Sequence, residues 1–225
     1  MKRAAGRLEL MDGPLDDAGE LERNLADIEF ANRRLGGIAP ILRETRARDA
    51  RTVLDVGSGS ADVPHALVRD GRRRGVEIRA TCLDRSETMI AIARRRTGGD
   101  ERLTFVRGDG ERLPFDDGSF DVVTCTLALH HFEPPAALAL LREMRRVARR
   151  SPIVADLVRS PAAFVAAWLY AHLTTRNRLT RHDAPLSVRR AYSPDEALTL
   201  AREAGWRSPN VRREPFFRMT LVDDG

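Results

Sequence analysis

Two spacings of apolar residues divide the chain near residue 50. Beyond it, short apolar runs over 53–56, 76–84, 105–110, 120–128 and 152–158 read as strands. The first has the continuous apolar character of a buried parallel strand. Residues 62–74, 86–96, 135–149, 161–175 and 194–204 are expected as helices. Strand and helix in alternation predict right-handed crossovers and a parallel sheet. Two closing strands are expected at 210–213 and 216–222.

Before residue 50 the period is helical. Leu21, Leu25, Ile28 and Leu35 line one face of a helix over 17–35. Gly36 and Gly37 end it, and 38–48 reads as a second helix. Residues 1–16 read as irregular, with a break at Gly13-Pro14. No strand precedes these helices, so residues 1–48 form an N-terminal helical cap on an α/β domain over 49–225. The cap either covers a pocket or only adds buried apolar area. Further on, Ser193, Pro194 and Glu196 spell a capping box with proline in the first helical position, and Gly205 marks the helix end.

Composition changes this picture little. A chain of 225 residues with 42% hydrophobic content suits one α/β domain with a cap. The net charge is +5, and Lys2 is the only lysine. Arginines alternate with acids along the helices, as on solvated faces, so nucleic acid is not the expected partner. Cys82 and Cys125 fall inside strands and are expected as buried thiols, with no cysteine at metal-ligand spacing. No metal is expected. No apolar run follows Met1, and the greasy stretch 162–171 is far short of the ~20 residues of a membrane span. A cytoplasmic protein is expected.

The chemistry starts at Val53-Leu54-Asp55-Val56-Gly57-Ser58-Gly59-Ser60-Ala61-Asp62. A strand, a tight glycine turn and a helix start make a ligand cradle at the carboxyl end of a parallel sheet. Gly57 and Gly59 let backbone approach a ligand closely. The pattern lacks the third glycine of the dinucleotide fingerprint. Asp55 would repel a pyrophosphate but suits a cation. The next strands end in acids as well, Asp84 and Asp109, and a carboxylate at the second tip can accept both hydroxyls of a ribose.

With the fourth strand added, the chain resembles the class I S-adenosylmethionine-dependent methyltransferases over roughly residues 50 to 222. One departure is Ala61, where that family often has a third glycine. The resemblance implies a Rossmann-like, mostly parallel seven-stranded sheet with helices on both faces and the last strand antiparallel. It implies S-adenosylmethionine as cofactor and S-adenosylhomocysteine as product. Asp55, Gly57, Ser58 and Gly59 would face the amino acid tail, and Asp84 the ribose. Arg85 and Met89 would flank the adenine, with Gly108, Asp109 and Gly110 at its amino group. Leu127, at the tip of the fourth strand, completes the set.

Leu129-His130-His131-Phe132 follows that strand, where an acceptor would stand. The same turn occurs in small-molecule methyltransferases resembling those of ubiquinone and menaquinone biosynthesis. His130 or His131 is either a general base for a phenol or alcohol or a packing residue. His182, beside Asp183, is a third candidate base, and Asp183 is expected in an exposed loop. The run 164–170 is apolar nearly all round, so it is buried or lines a greasy pocket, with Met11, Leu15, Phe216 and Phe217 as neighbours. No Asn-Pro-Pro-Tyr-type tetrapeptide follows the fourth strand, which disfavours nucleobase amines. The expected activity is methylation of a small aromatic or apolar acceptor, at oxygen or at a ring carbon. A nucleic-acid or protein methyltransferase and a non-catalytic cofactor-binding protein are the alternatives.

Overall fold

The computed structural model describes residues 1–13 and 18–225. Two helices, α1 (Ala18–Arg34) and α2 (Ala39–Ala47), precede the first strand. The strands are β1 (Thr52–Val56), β2 (Arg79–Asp84), β3 (Leu103–Arg107), β4 (Phe120–Thr126), β5 (Ala148–Leu157), β6 (Pro209–Glu214) and β7 (Arg218–Asp223). Between them run α3 (Asp62–Arg73), α4 (Glu87–Arg96), α5 (Pro134–Val147), α6 (Pro161–Thr174), α7 (Arg178–Arg190) and α8 (Pro194–Glu203). They form one seven-stranded sheet in the order β3-β2-β1-β4-β5-β7-β6. Strands β1 to β5 are parallel, and β7 runs antiparallel to both β5 and β6. The order reverses between β1 and β4, the place where an open α/β sheet leaves a crevice beyond its carboxyl ends. Register puts Asp55 level with Cys82 on one side and Thr124 on the other.

Each face of the sheet has its own core. On one face α5 and α8 cover β1, β4 and β5. Helix α5 begins at Pro134-Pro135, where a missing N–H costs nothing. It buries Ala137, Leu140, Leu141, Met144 and Val147 at helical spacing. Each large side chain among them is worth roughly 1.5–3 kcal/mol of apolar burial. On the other face α2 and α3 supply Ile41, Val63, Leu67 and Val68. The cysteines Cys82 and Cys125 are buried free thiols. None of the described helices is long and apolar enough to cross a membrane.

Three expectations need correcting. Residues 178–190, where no helix is expected, form α7. Asn177 caps it, its side chain accepting hydrogen bonds from the N–H groups of Leu179 and Thr180 at 2.8 and 3.3 Å. Pro185 inside the helix is what hides it from a sequence reading, since proline there removes a backbone donor. Second, α6 is neither buried nor wholly pocket-lining: Val165, Trp168, Leu169 and Leu173 are exposed. A helix apolar on every side cannot be covered by one neighbour, and α6 packs chiefly on α7. Third, β5 starts at Ala148, directly after α5, and not near 152. The expected neighbour Leu15 lies outside the described residues.

The turn between β6 and β7 holds Phe216 and Phe217 both at φ 57, a left-handed conformation costing a side-chain-bearing residue roughly 1–2 kcal/mol. Phe216 is 57% exposed, so little burial offsets that cost. Phe216→Gly is expected to raise unfolding free energy by about 1 kcal/mol, read from urea denaturation. A loss of stability instead would mean the ring packs in solution.

Candidate active site

The turn after β1 is built for close approach. Gly57 and Gly59 lie at φ 70 and 51. A Cβ on Gly57 would stand 2.8 Å from Cβ of Ala128, at the tip of β4, whereas around Gly59 a Cβ would meet nothing within 4 Å. Ala61 keeps a glycine-like φ of 59. The N–H groups of Gly57 and Ser58 donate to the carbonyl of Leu83 at 2.9 and 3.0 Å, tying the turn to β2.

The acids converge on this turn. Asp84 Oδ2 accepts the N–H of Gly59 at 3.0 Å and its Oδ1 that of Ser86 at 2.9 Å. Each oxygen keeps a lone pair for a further donor. Asp55 is buried, and the Thr124 hydroxyl donates to it at 2.6 Å. Burial pushes its carboxyl up to about 7 against that hydrogen bond, and the nearby Asp62 and Asp84 add to the rise. Gly108 donates to the Asp84 carbonyl at 3.0 Å, and a Cβ there would strike Leu83. Gly110 is walled by Val56 and Leu140. Asp109 closes an Asx turn onto the N–H of Glu111 at 3.0 Å. Leu127 stands at φ 50, a strained value at the tip of β4. Arg85 is exposed, while Met89 packs on Leu21, Leu25 and Ile92, between α4 and α1.

Beyond Leu127, residues 129–131 make one 3-10 turn that carries both histidines. His130 is buried. Its Nδ1 lies 2.7 Å from Asp156 Oδ1, and Asp156 Oδ2 accepts the His130 N–H at 3.0 Å. Its Nε2 faces Glu9 Oε1 at 3.5 Å. Burial favours the neutral ring, but the Asp156 and Glu9 carboxylates outweigh it and raise His130 to about 10. The same contacts lower Asp156 and Glu9 despite their burial. The His131 ring lies 4.4 Å from that of His130, with Nδ1 3.0 Å from Asp12 and Nε2 3.7 Å from Glu9 Oε2.

Glu9 and Asp12 belong to an N-terminal strap laid across this end of the sheet. Arg3 pairs with Glu133 and donates to the Phe132 carbonyl at 2.8 Å. Ala4 donates to the Arg189 carbonyl. Asp183 accepts the N–H groups of Leu10 and Met11 at 2.8 and 3.1 Å. Ser187 donates to Glu9 at 2.7 Å. Arg190 is buried and donates to the carbonyls of His130 and His131 at 3.2 and 2.7 Å.

A family profile described as a methyltransferase domain matches residues 53–151. The demethylmenaquinone methyltransferase of Beutenbergia cavernae is 34% identical over 180 residues, which is 74% of this chain and 70% of that protein. The chain belongs to the class I S-adenosylmethionine-dependent methyltransferases. Solved methyltransferases share its fold. SibL, an S-adenosylmethionine-dependent methyltransferase in its apo form, superposes with a TM-score of 0.67 at 20% identity, over 96% of this chain and 62% of SibL. PigF, solved with SAH, gives 0.63 at 19% identity, over 89% and 59%. The chain therefore spans about three fifths of the length of these two proteins.

This methyltransferase uses S-adenosylmethionine. Asp55, Gly57, Ser58, Gly59, Asp84, Gly108 and Gly110 are drawn together at the switch point. Met89 is turned toward α1. His182 is half exposed on α7, with Nδ1 2.7 Å from Asp183, and among the described residues no hydrogen bond or ion pair joins it to His130 or His131. Asp183, expected exposed, is buried, because it caps the strap's backbone. Glu9, Asp12, Asp156 and Arg190 went unsingled in the sequence. Asp156 had a signal: it ends an apolar strand as Asp55 and Asp84 do. The other three had none.

Proposed function

We propose that the enzyme methylates a phenolic, quinol or polyketide-like hydroxyl on a small, largely apolar acceptor. The acceptor oxygen is held at the tip of β4, against the cluster of Glu9, His130 and His131. The observation that carries this reading is that cluster's place. It begins two residues past Ala128, whose Cβ lies against Gly57.

The residues fit the cofactor. S-adenosylmethionine supplies an electrophilic methyl group on a cationic sulfur. Gly57 and Gly59 leave bare backbone for its amino acid tail, and Asp55 offers that tail's ammonium a buried carboxylate. Asp84 keeps lone pairs for the ribose hydroxyls, and Asp109 with its flanking glycines meets the adenine. Alignment then supplies much of the rate. What remains for the chain is the hydroxyl proton, and His131, the less buried histidine, faces the acceptor side with Asp12 behind it. Trp168, Leu169 and Phe217 are exposed apolar side chains.

Methylation at a ring carbon is the second reading, favoured by relatives named demethylmenaquinone methyltransferase. A nucleic-acid acceptor is less favoured, since many arginines are held by acids, among them Arg43 by Glu214, Arg46 by Asp70 and Arg146 by Glu143. The test is methyl transfer from isotope-labelled S-adenosylmethionine to a panel of alkylphenols, naphthohydroquinones and RNA. The carbon shift of the new methyl group tells oxygen from carbon. Labelled phenol or quinol is expected, with Glu9→Gln lowering kcat at least tenfold. Label on RNA alone would overturn the reading.

A further inference from the structure

We propose that Glu9, His130 and His131 form a binding site for a divalent transition-metal ion of the zinc type. The three ligand atoms lie within 4.8 Å of one another. His130 Nε2 and His131 Nε2 face separate oxygens of the one Glu9 carboxylate, at 3.5 and 3.7 Å. Those gaps are long for N–H···O hydrogen bonds. They suit ligands around one ion: two groups each ~2.0–2.1 Å from a tetrahedral zinc stand roughly 3.4 Å apart.

The surroundings point the same way. Each histidine has its Nδ1 on a carboxylate, His130 on Asp156 at 2.7 Å and His131 on Asp12 at 3.0 Å. Such partners orient a ligating ring and turn Nε2 toward the ion. Glu9 and His130 are each only 3% exposed, so three charged or chargeable groups face one another with little water between. Two imidazoles and one carboxylate suit a borderline divalent ion and leave a coordination position open. The sequence reading expected no metal on finding no cysteine at metal-ligand spacing; this set is joined only by folding, which no spacing along the chain encodes.

In what the ion does, the inference rests on the acceptor reading. With the ion bound, His131 is its ligand: the ion beside the acceptor hydroxyl lowers that hydroxyl's pKa and the proton leaves to solvent, whereas in the metal-free chain His131 takes it. Binding of the ion itself does not depend on that reading. The test therefore uses the full chain alone, freed of metal by a chelator and of any tag, without cofactor or acceptor. It is titrated with Co2+ and followed by visible absorption, then with Zn2+ and followed by Tm. The expected result is one ion per chain, a ligand-field band on Co2+ addition, and a Tm that rises with Zn2+. Glu9→Gln and His131→Asn are each expected to weaken binding by roughly tenfold or more, with His172→Ala binding as the parent does. If Glu9→Gln fails to fold, His131→Asn, on the more open side, carries the test. No band and no Tm shift, or equal affinity in the variants and the parent, would overturn the site. Intact Co2+ binding in a protein that methylates no phenol or quinol would sink the acceptor reading and leave this one standing.

Discussion

Asp156→Ala is expected to cost the fold about 3–5 kcal/mol, the penalty for removing one partner of a buried charged pair. Asp156 is 2% exposed and takes three hydrogen bonds: His130 Nδ1, the His130 N–H and the Leu157 N–H, at 2.7, 3.0 and 2.7 Å. Alanine leaves all three donors stranded, with His130 still beside buried Glu9. Urea denaturation with a chelator present, at neutral pH, measures the loss without any contribution from metal. Asp156→Asn keeps the shape and an acceptor oxygen, so it should fall between alanine and the parent. A loss under about 1 kcal/mol for alanine would place the support of His130 elsewhere.

Affinity for S-adenosylmethionine is expected to climb steeply between pH 5.5 and 7. Asp55 is the cause: burial lifts its carboxyl to about 7, and only the ionised form attracts the ligand's ammonium. If that form alone binds, Kd weakens up to about tenfold for each pH unit below 7. Above about 8 affinity falls again as the ligand's amino group loses its proton. The effect on the free protein has the opposite sense. An acid raised on folding favours the protonated folded state, so Asp55 supports stability at low pH. That support is lost as pH rises from its ordinary 3.8 through about 7. Asp55→Asn should weaken binding at pH 7.5 and flatten the acid limb. Calorimetric titration across this range decides it, and an unchanged acid limb in Asp55→Asn would remove Asp55 from the role.

The part of the site that sequence made legible is the part built locally. Gly57, Gly59 and Asp84 sit within three residues of a strand end, and a strand end is visible as an apolar run breaking at a glycine or an acid. The strands followed from the same signal, the two closing ones included, while the antiparallel last strand was implied by the family resemblance. Helix α7 was lost because Pro185 contradicts a helix, and tertiary packing against α6 and the strap overrides it. Asp183 was misplaced for the same reason: a polar residue next to His182 looks solvated until the strap's N–H groups arrive to use it. Glu9 and Asp12 stood in a stretch with no period at all. Their meaning comes from His130, His131 and Ser187, and no spacing along the chain encodes such contacts.

The strap has a consequence for how the enzyme comes into being. Glu9 is synthesised long before any of its partners, and the last of them, Ser187, emerges only after six of the eight helices and five strands. Until α7 has left the ribosome, Glu9 lacks the Ser187 hydroxyl that donates to it. A chain halted before α7 lacks Asp183 and Ser187, the side chains that hold the strap.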